Sequence, residues 1–253
     1  MSSYLITGTS RGLGLTLTTC LLEQPKDQVR FVAAAARTKT SALEALIHQY
    51  PGRIAFIPLE VTREQSVHAA VGKVQEALGA SAGLDVLINN AGIMPFVPEG
   101  IIQATNLMST FEVNVNSVQL CSAAFLPLLR KGSKQLVLNI GSILGSITLA
   151  PSMAPYPTST YKVSKAAVNM LTVQWALDLA KEDFTIISAH PGWLRTDLGT
   201  DQADLAVETG AKGVLEILDK VTRADTGKFF DIHVPGWDSE GKLNKYEGGE
   251  LPW

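Results

Sequence analysis

The strongest constraint on the fold is a regular alternation of short apolar segments with longer segments of helical periodicity. The apolar segments predict strands at 4–7, 30–35, 54–57, 84–88, 135–140, 184–189 and 228–232. The periodic segments predict a helix after residue 12 and further helices at 41–49, 64–78, 106–129, 160–181 and 204–220. Strands that are apolar throughout, separated by amphipathic helices, form a parallel sheet that is covered on both faces. We therefore predict an α/β fold with a doubly wound parallel sheet of about seven strands.

The composition favours a single domain over residues 1–253. Hydrophobic residues make up 46% of the chain and charged residues 18%, which is sufficient for a buried core. No linker or repeat divides the chain. We expect residues 193–207 to form a small lid over a substrate. The tail 234–253 contains four glycines, two prolines and two tryptophans, and we expect it to be irregular and to pack on the body.

Charge and hydropathy exclude several classes of function. The net charge of −3 argues against a general nucleic-acid binder and against binding to anionic membranes. The N-terminus lacks the features of a signal peptide and no apolar run is long enough to span a bilayer, so we expect a cytoplasmic protein. Cys20 and Cys121 lie among apolar helical positions, and the four histidines have no ligand spacing, so we expect no metal site.

A glycine-rich loop at residues 8–14 connects the first predicted strand to the first helix. Glycines at such a junction let the backbone turn tightly and approach a pyrophosphate, whose charge then meets the N–H groups at the start of the helix. A glycine-rich loop can also be a plain turn. The strand before it and the helix after it favour a dinucleotide-binding site.

Other polar or glycine-containing positions follow the remaining predicted strands. They are Arg37, Glu60, residues 89–92, Ser142 and residues 191–197. In parallel α/β sheets, ligands bind beyond the carboxyl ends of the strands. This edge of the sheet is therefore the expected binding site.

A tyrosine and a lysine lie four residues apart at the start of the predicted helix 160–181. Residues with this spacing share one face of a helix, so the Tyr161 phenol and the Lys165 ammonium point into the same space. A neighbouring cation lowers the pKa of a phenol from its ordinary value of about 10. The pair suits proton exchange with a carbonyl or an alcohol, although the same spacing occurs on many solvated helices.

Taken together, these residues resemble the short-chain dehydrogenase/reductase family, which has a Rossmann fold. The loop Thr7-Gly8-Thr9-Ser10-Arg11-Gly12-Leu13-Gly14 resembles its Thr-Gly-x-x-x-Gly-x-Gly motif, and Asn89-Asn90-Ala91-Gly92 resembles its Asn-Asn-Ala-Gly motif. The positions of its catalytic tetrad are occupied by Asn114, Ser142, Tyr161 and Lys165. The segment after the sixth strand matches through Pro191, Gly192, Thr196 and Asp197. The stretch 141–147 and the ending 250–253 look most like sniffer-type and C-factor-like carbonyl reductases.

The resemblance implies hydride transfer between a nicotinamide and a carbonyl carbon. Tyr161 would be the general acid in reduction and the base in oxidation. Lys165 would lower the pKa of that tyrosine and hold the nicotinamide ribose. Ser142 would stabilise charge on the substrate oxygen, and Asn114 would interrupt its helix and hold a water that links Lys165 to solvent.

The resemblance also implies a set of cofactor-binding residues. They are Gly8, Ser10, Arg11, Gly12, Leu13, Gly14, Arg37, Glu60, Val61, Asn90, Ala91, Gly92, Tyr161, Lys165, Pro191, Gly192 and Thr196. The second strand ends in alanines followed by Arg37, without the acid that would accept from a ribose 2′-hydroxyl. A guanidinium pairs well with a 2′-phosphate, and Arg11 offers a second cation. We therefore predict NADP(H) rather than NAD(H).

Two segments depart from the family pattern. Glu60-Val61 stands where the family has aspartate-valine, and its extra methylene puts the contact with the adenine amino group in question. The loop between Ser142 and Tyr161 is longer than usual, and we expect it to line the substrate mouth. The candidate wall residues are Met94, Phe96, Leu144, Met153, Tyr156 and Trp193.

Three functions remain open on the sequence. The first is an NADPH-dependent carbonyl reductase or alcohol dehydrogenase. The second is a non-redox dehydratase, epimerase or cyclase on the same scaffold, and the third is an inactive NADP(H) sensor. The expected partner is a small-molecule substrate, with no nucleic acid or membrane. The family implies a homodimer or homotetramer, although its carbonyl reductases include monomers.

Overall fold

The computed structural model describes residues 1–242 and 244–253. Its strands are β1 Ser2–Thr7, β2 Val29–Ala36, β3 Ile54–Pro58, β4 Val86–Asn89, β5 Leu136–Ile140, β6 Thr185–His190, β7 Phe229–His233 and β8 Glu247–Glu250. Its α-helices are α1 Gly12–Glu23, α2 Ser41–Gln49, α3 Glu64–Leu78, α4 Leu107–Phe111, α5 Ser117–Leu129, α6 Ser159–Asp178 and α7 Val207–Lys220. Short 3₁₀ turns lie at Ile101–Gln103, Ile143–Gly145 and Arg223–Asp225, and a π-turn lies at Glu112–Asn116.

All eight strands form one sheet in the order β3-β2-β1-β4-β5-β6-β7-β8. The first seven strands pair in parallel, and β8 pairs with β7 in the antiparallel direction. The chain winds outward from β1 to β3 and then returns to place β4 on the other side of β1. This reversal between β1 and β4 opens a crevice at the carboxyl ends of the strands, where doubly wound sheets bind their ligands. The predicted single-domain, doubly wound fold is confirmed.

Helices cover both faces of the sheet because successive side chains of each strand point to opposite faces. Ile6 packs with Leu17 of α1 and Val214 of α7 on one face. Its neighbour Leu5 packs with Phe125 of α5 on the other face. All these side chains are fully buried. Burial of one such side chain stabilises the fold by roughly 1.5–3 kcal/mol relative to its exposure.

The predicted helix 106–129 is divided into three parts. The chain runs as α4, then as the π-turn Glu112–Asn116, and then as α5. The predicted interruption of the helix at Asn114 is therefore confirmed. The predicted helix 204–220 begins only at Val207, because Leu194 and Leu205 form an isolated bridge that holds the preceding segment as a loop.

The tail is less irregular than predicted, since Glu247–Glu250 form β8. Strand β8 pairs with the edge of β7, with His233 opposite Glu247 and Phe230 opposite Glu250. Close approach requires glycine at position 248, where φ is 77° and a Cβ would lie 2.9 Å from the His233 Cβ. Beyond β8, the Trp253 ring stacks on the Phe229 ring, with the centroids 5.6 Å apart. The tail is thus attached to the sheet.

Neither a helix that could span a membrane nor a cluster of metal ligands is present among the described residues. None of their helices has both the length and the apolar character needed to cross a membrane. No three histidine, cysteine, aspartate or glutamate side chains among them are grouped as metal ligands would be.

Candidate active site

The glycine loop is closed against the loop that follows β4. The side-chain amide of Asn90 donates to the Thr7 and Gly8 carbonyls at 2.8 and 3.2 Å. The Thr7 hydroxyl accepts from the Asn90 and Ala91 N–H groups, both at 3.0 Å. A Cβ at Gly14 would overlap with the Gly8 carbonyl and lie 2.5 Å from the Asn90 amide nitrogen. Only glycine at position 14 allows α1 to begin this close to β1.

The start of α1 has the properties of an anion-binding site. Gly8 and Gly12 adopt φ values of 74° and 54°, so the backbone turns sharply before the helix. Arg11 is the N-cap residue, and its side chain makes no capping hydrogen bond. The first N–H groups of a helix have no partner within it, and together with the helix dipole they favour a phosphate.

The turn after β5 brings Ser142 to the helix that carries Tyr161 and Lys165. A Cβ at Gly145 would lie 2.7 Å from the Lys165 backbone and Cβ, so this glycine lets the turn rest directly on α6. The Ser142 hydroxyl accepts from the Leu144 N–H at 3.2 Å and lies close enough to the Tyr161 phenol to lower its pKa. Lys165 Nζ lies 5.5 Å from the centre of the Tyr161 ring. The three predicted side chains therefore lie together.

Burial changes the pKa of both members of the tyrosine–lysine pair. Tyr161 is 7% exposed and Lys165 is 5% exposed. Loss of solvation raises the pKa of Tyr161 to about 12, although the neighbouring Ser142 hydroxyl acts in the opposite direction. Loss of solvation also lowers the pKa of Lys165 to about 8. Each shift disfavours the charged form, as expected for groups removed from water.

Burial has a larger effect than Lys165 on the pKa of Tyr161 in this structure, and the lowering of that pKa by Lys165 stays a prediction. Lys165 Nζ donates to the Ile140 carbonyl at 2.6 Å, so the ammonium is directed at the end of β5. Desolvation of the phenol is the largest influence, and it raises the pKa. The sequence shows the spacing of the pair but not its depth of burial.

Asn114 connects the loop after β4 to α6. Its side chain accepts from the Ile93 N–H at 2.8 Å and donates to the Ile93 carbonyl at 2.9 Å. Its amide also donates to the Ser164 hydroxyl at 2.9 Å, and that hydroxyl donates to the Tyr161 carbonyl at 2.7 Å. Asn114 thus links the loop after β4 to α6 beside Tyr161. Its role in holding a water stays a prediction.

A buried polar network below the site was not predicted. The Asn89 amide donates to Asn139 Oδ1 at 2.8 Å and to the Ser122 hydroxyl at 3.1 Å. The Asn139 amide donates to the Thr172 hydroxyl at 2.9 Å. These bonds join β4, β5, α5 and α6 under Tyr161 and Ser142. The available signal was an asparagine inside each of two otherwise apolar strands.

The outer end of the crevice is exposed, and each predicted arginine there faces a carboxylate. Arg37 Nε lies 3.9 Å from Glu60 Oε2, and the Arg37 side chain is 75% exposed. Glu60 also accepts from the Thr62 hydroxyl at 3.1 Å. Arg11 Nε lies 3.0 Å from Asp197 Oδ2. Exposed ion pairs are worth about 0–1 kcal/mol, so a phosphate can replace either carboxylate.

The segment 193–207 lies across the crevice from the glycine loop. A Cβ at Gly12 would lie 3.4 Å from the Thr196 methyl group. Gly192, at φ 89°, turns the chain from β6 and Pro191 into this segment. Residues predicted from the loop after β1 and from the loop after β6 therefore face each other.

The predicted wall residues differ in exposure and are only partly brought together. Trp193 meets Tyr156 edge to face, with ring centroids 5.7 Å apart. Met153 is buried, and the Lys162 ammonium donates to its carbonyl at 2.6 Å. Phe96 is exposed to solvent. The remaining candidates, Met94 and Leu144, are half-buried.

A family model described as short chain dehydrogenase matches residues 3–205. The chain is a member of the short-chain dehydrogenase family. This confirms the family predicted from the glycine loop, the Asn-Asn-Ala-Gly motif and the tetrad positions.

Three relatives illustrate the similarity. The C-signal protein of Myxococcus xanthus is 32% identical over 171 residues, which cover 67% of this chain and 93% of the relative. The crystal structure of an NADPH-bound carbonyl reductase from chicken fatty liver has a TM-score of 0.86 and 30% identity, and the match covers 100% of this chain and 94% of the other. The carbonyl reductase Sniffer of D. melanogaster also has a TM-score of 0.86, with 29% identity and full coverage of both chains. The predicted resemblance to sniffer-type and C-factor-like proteins is confirmed.

Proposed function

We propose that this short-chain dehydrogenase reduces a ketone or an aldehyde to an alcohol with NADPH, or catalyses the reverse oxidation. The observation that carries the proposal is the buried group of Ser142, Tyr161 and Lys165 at the crevice. The Ser142 hydroxyl lies close enough to the Tyr161 phenol to lower its pKa, and the Lys165 ammonium lies 5.5 Å from the Tyr161 ring centre. A phenol, a hydroxyl and an ammonium in one water-poor site can exchange a proton with a carbonyl oxygen and stabilise its charge.

The residues around the crevice fit a dinucleotide. Position 14 of the glycine loop leaves no room for a Cβ, and the N-terminus of α1 lacks a side-chain cap from Arg11. The bound nicotinamide would supply the hydride. The pyrophosphate would lie against the loop 8–14, and the residues proposed to hold the remaining groups are Arg37, Glu60, Val61, Asn90, Ala91, Gly92, Tyr161, Lys165, Pro191, Gly192 and Thr196.

The end of β2 supports NADP(H) over NAD(H). Residues 33–36 are four alanines, all buried, and Arg37 follows with its guanidinium exposed. No acid stands in this stretch to repel a 2′-phosphate. The Arg37–Glu60 separation of 3.9 Å is loose for an ion pair, which leaves the guanidinium free to prefer a phosphate in a bidentate contact. The chicken carbonyl reductase similar to this chain is itself described as NADPH-bound.

The proton step is assigned to Tyr161. Because burial raises its pKa to about 12, the phenol is neutral near pH 7 and holds the proton that a reduced carbonyl oxygen requires. The Ser142 hydroxyl would hydrogen-bond the same oxygen. Lys165, whose pKa is lowered to about 8, would favour the phenolate that remains while it is protonated. In the oxidation, the phenolate would take the proton back.

Screening ketones, quinones and aldehydes for loss of the NADPH absorbance tests the proposal. The expected result is carbonyl-dependent oxidation of NADPH with one alcohol formed for each NADPH consumed. Product formed without net consumption of NADPH would indicate a dehydratase, an epimerase or a cyclase. Tight NADPH binding with no turnover of any compound would favour a sensor.

A further inference from the structure

A tyrosine in the tail holds the segment that we expect to form a lid. Tyr246 is 1% exposed, and its ring packs against the His190 and Trp237 rings at centroid distances of 6.2 and 5.2 Å. Its hydroxyl accepts from the Trp193 backbone N–H at 3.0 Å and donates to Asp204 Oδ2 at 2.8 Å. These two partners lie near opposite ends of the segment 193–207. One buried hydroxyl therefore joins the beginning of the lid to its end.

Other contacts make this junction the base of a closed loop. The Leu205 N–H donates to the Trp193 carbonyl at 3.0 Å, and the Arg195 N–H donates to the Leu205 carbonyl at 2.9 Å. The Asn244 amide, also from the tail, donates to the same Asp204 oxygen at 2.7 Å. Asp204 is therefore held by two donors that lie outside the lid.

The junction continues into the wall of the substrate site. Trp193 follows Gly192 directly, and a Cβ at Gly192 would lie 3.4 Å from Tyr246 Cε1. The Trp193 indole N–H donates to the Gly199 carbonyl at 2.7 Å, and its ring meets Tyr156 edge to face. A displacement of the Trp193 backbone would therefore move the pair of aromatic rings that we place on the substrate wall.

We propose that Tyr246 is a positioning residue, whose hydroxyl keeps the lid closed and the Trp193–Tyr156 wall in place for a bulky apolar carbonyl substrate. Its kinetic consequences rest on the proposed function. Without the hydroxyl, the Trp193 N–H and the Asp204 carboxylate each lose a buried partner. Such a loss is expected to raise the population of the open lid by about tenfold.

Tyr246→Phe tests the proposal because it keeps the ring and removes only the hydroxyl. The matched control is Tyr50→Phe at the end of α2, where the hydroxyl contacts only the exposed Gln49 amide at 3.4 Å. For an aromatic ketone, Tyr246→Phe should raise KM about tenfold, because displacement of the Trp193–Tyr156 pair weakens its contact with the bound substrate, and leave kcat within twofold. For a small aliphatic ketone, KM should stay within twofold. The control should match the wild type for both ketones.

Limited trypsinolysis is a second test of lid opening, and it does not require the protein to turn over a substrate. Arg195 is exposed within the lid, and Lys131 is exposed after α5, so cleavage at the two sites reports lid opening and opening elsewhere. We expect Tyr246→Phe to accelerate cleavage after Arg195 about tenfold, while cleavage after Lys131 stays at the wild-type rate.

If no carbonyl is reduced by the wild type, the proposed function fails and this experiment still decides the role of Tyr246. Equal cleavage after Arg195 in all three proteins, or equal acceleration at both sites, would overturn the proposal. In an active enzyme, so would an aromatic-ketone KM within twofold of the wild type.

Discussion

The two ends of the crevice differ in how far their polar groups are removed from water. At the inner end, Tyr161 and Lys165 are 7% and 5% exposed, and burial raises the pKa of Tyr161 to about 12 and lowers that of Lys165 to about 8. At the outer end, the Arg37 side chain is 75% exposed and faces Glu60 at 3.9 Å. Charges interact strongly where water is excluded and weakly where they are screened. The inner end is thus suited to chemistry and the outer end to a modest preference between cofactors.

Among Ser142→Ala, Lys165→Met and Arg37→Asp, we expect Ser142→Ala to have the largest effect. It removes the hydroxyl that lowers the pKa of Tyr161 and is proposed to stabilise the substrate oxygen. We expect kcat for carbonyl reduction to fall by roughly 10²–10³, with the Kd for NADPH within twofold. Ser152→Ala, on the exposed part of the same loop, is the control and should keep wild-type kcat. A kcat for Ser142→Ala equal to that of the control would remove Ser142 from the chemistry.

Lys165→Met tests the burial of the inner end through stability rather than turnover. The pKa of Lys165 is about 8 in the folded protein and 10.5 ordinarily. Between those pH values the unfolded chain binds more protons than the folded one, so the free energy of unfolding of the wild type should rise with pH. Relative to Lys165→Met, the rise from pH 7 to 10.5 should be about 2–3 kcal/mol.

Urea unfolding at several pH values measures this difference. Lys73→Met, which replaces an exposed lysine of α3, should show no such dependence on pH relative to the wild type. A flat difference between wild type and Lys165→Met would mean that the ammonium is solvated, and the contrast between the two ends would be lost.

Arg37→Asp should have a smaller effect, confined to cofactor preference. It replaces the cation proposed for the 2′-phosphate with an acid that can accept from a 2′-hydroxyl. We expect the ratio of kcat/KM for NADPH to that for NADH to fall by roughly 10–100-fold, while kcat with saturating cofactor stays within a few-fold of wild type. Lys73→Asp makes the same change of charge on α3 and should leave the ratio unchanged. An unaltered ratio in Arg37→Asp would contradict the proposal that Arg37, at the outer end, determines the preference for NADPH over NADH.

Local sequence patterns predicted the bounds of those helices that begin or end at a recognisable capping residue. Helix α2 begins after Thr40, whose hydroxyl accepts from the Leu43 N–H at 3.4 Å, and α3 ends at Gly79 with φ 98°. Both helices have their predicted bounds. Strand β8 has two glycines between two glutamates, so its sequence lacks the apolar alternation that predicts a strand. It forms because the edge of β7 is available for pairing.

In the site, too, the sequence predicted the features that depend on local patterns and missed those that depend on distant parts of the chain. Motifs and spacing predicted which residues meet, because the ends of parallel strands share one edge of the sheet. The direction of the Tyr161 pKa shift depends on burial by distant elements, and the partners of Arg11 and Arg37 depend on loop conformation. The contact of Tyr246 with Trp193 joins residues 53 positions apart, which no spacing rule relates.

The most direct test of the account is turnover by Tyr161→Phe, measured with NADPH and a carbonyl that the wild type reduces, together with the Kd for NADPH. The variant keeps the buried ring and removes the transferable proton. We predict that kcat falls by roughly 10²–10⁴ while the Kd stays within twofold of the wild-type value, and that Tyr50→Phe changes neither quantity. A kcat for Tyr161→Phe within twofold of the wild type, with NADPH bound normally, would contradict the assignment of the proton step to this residue.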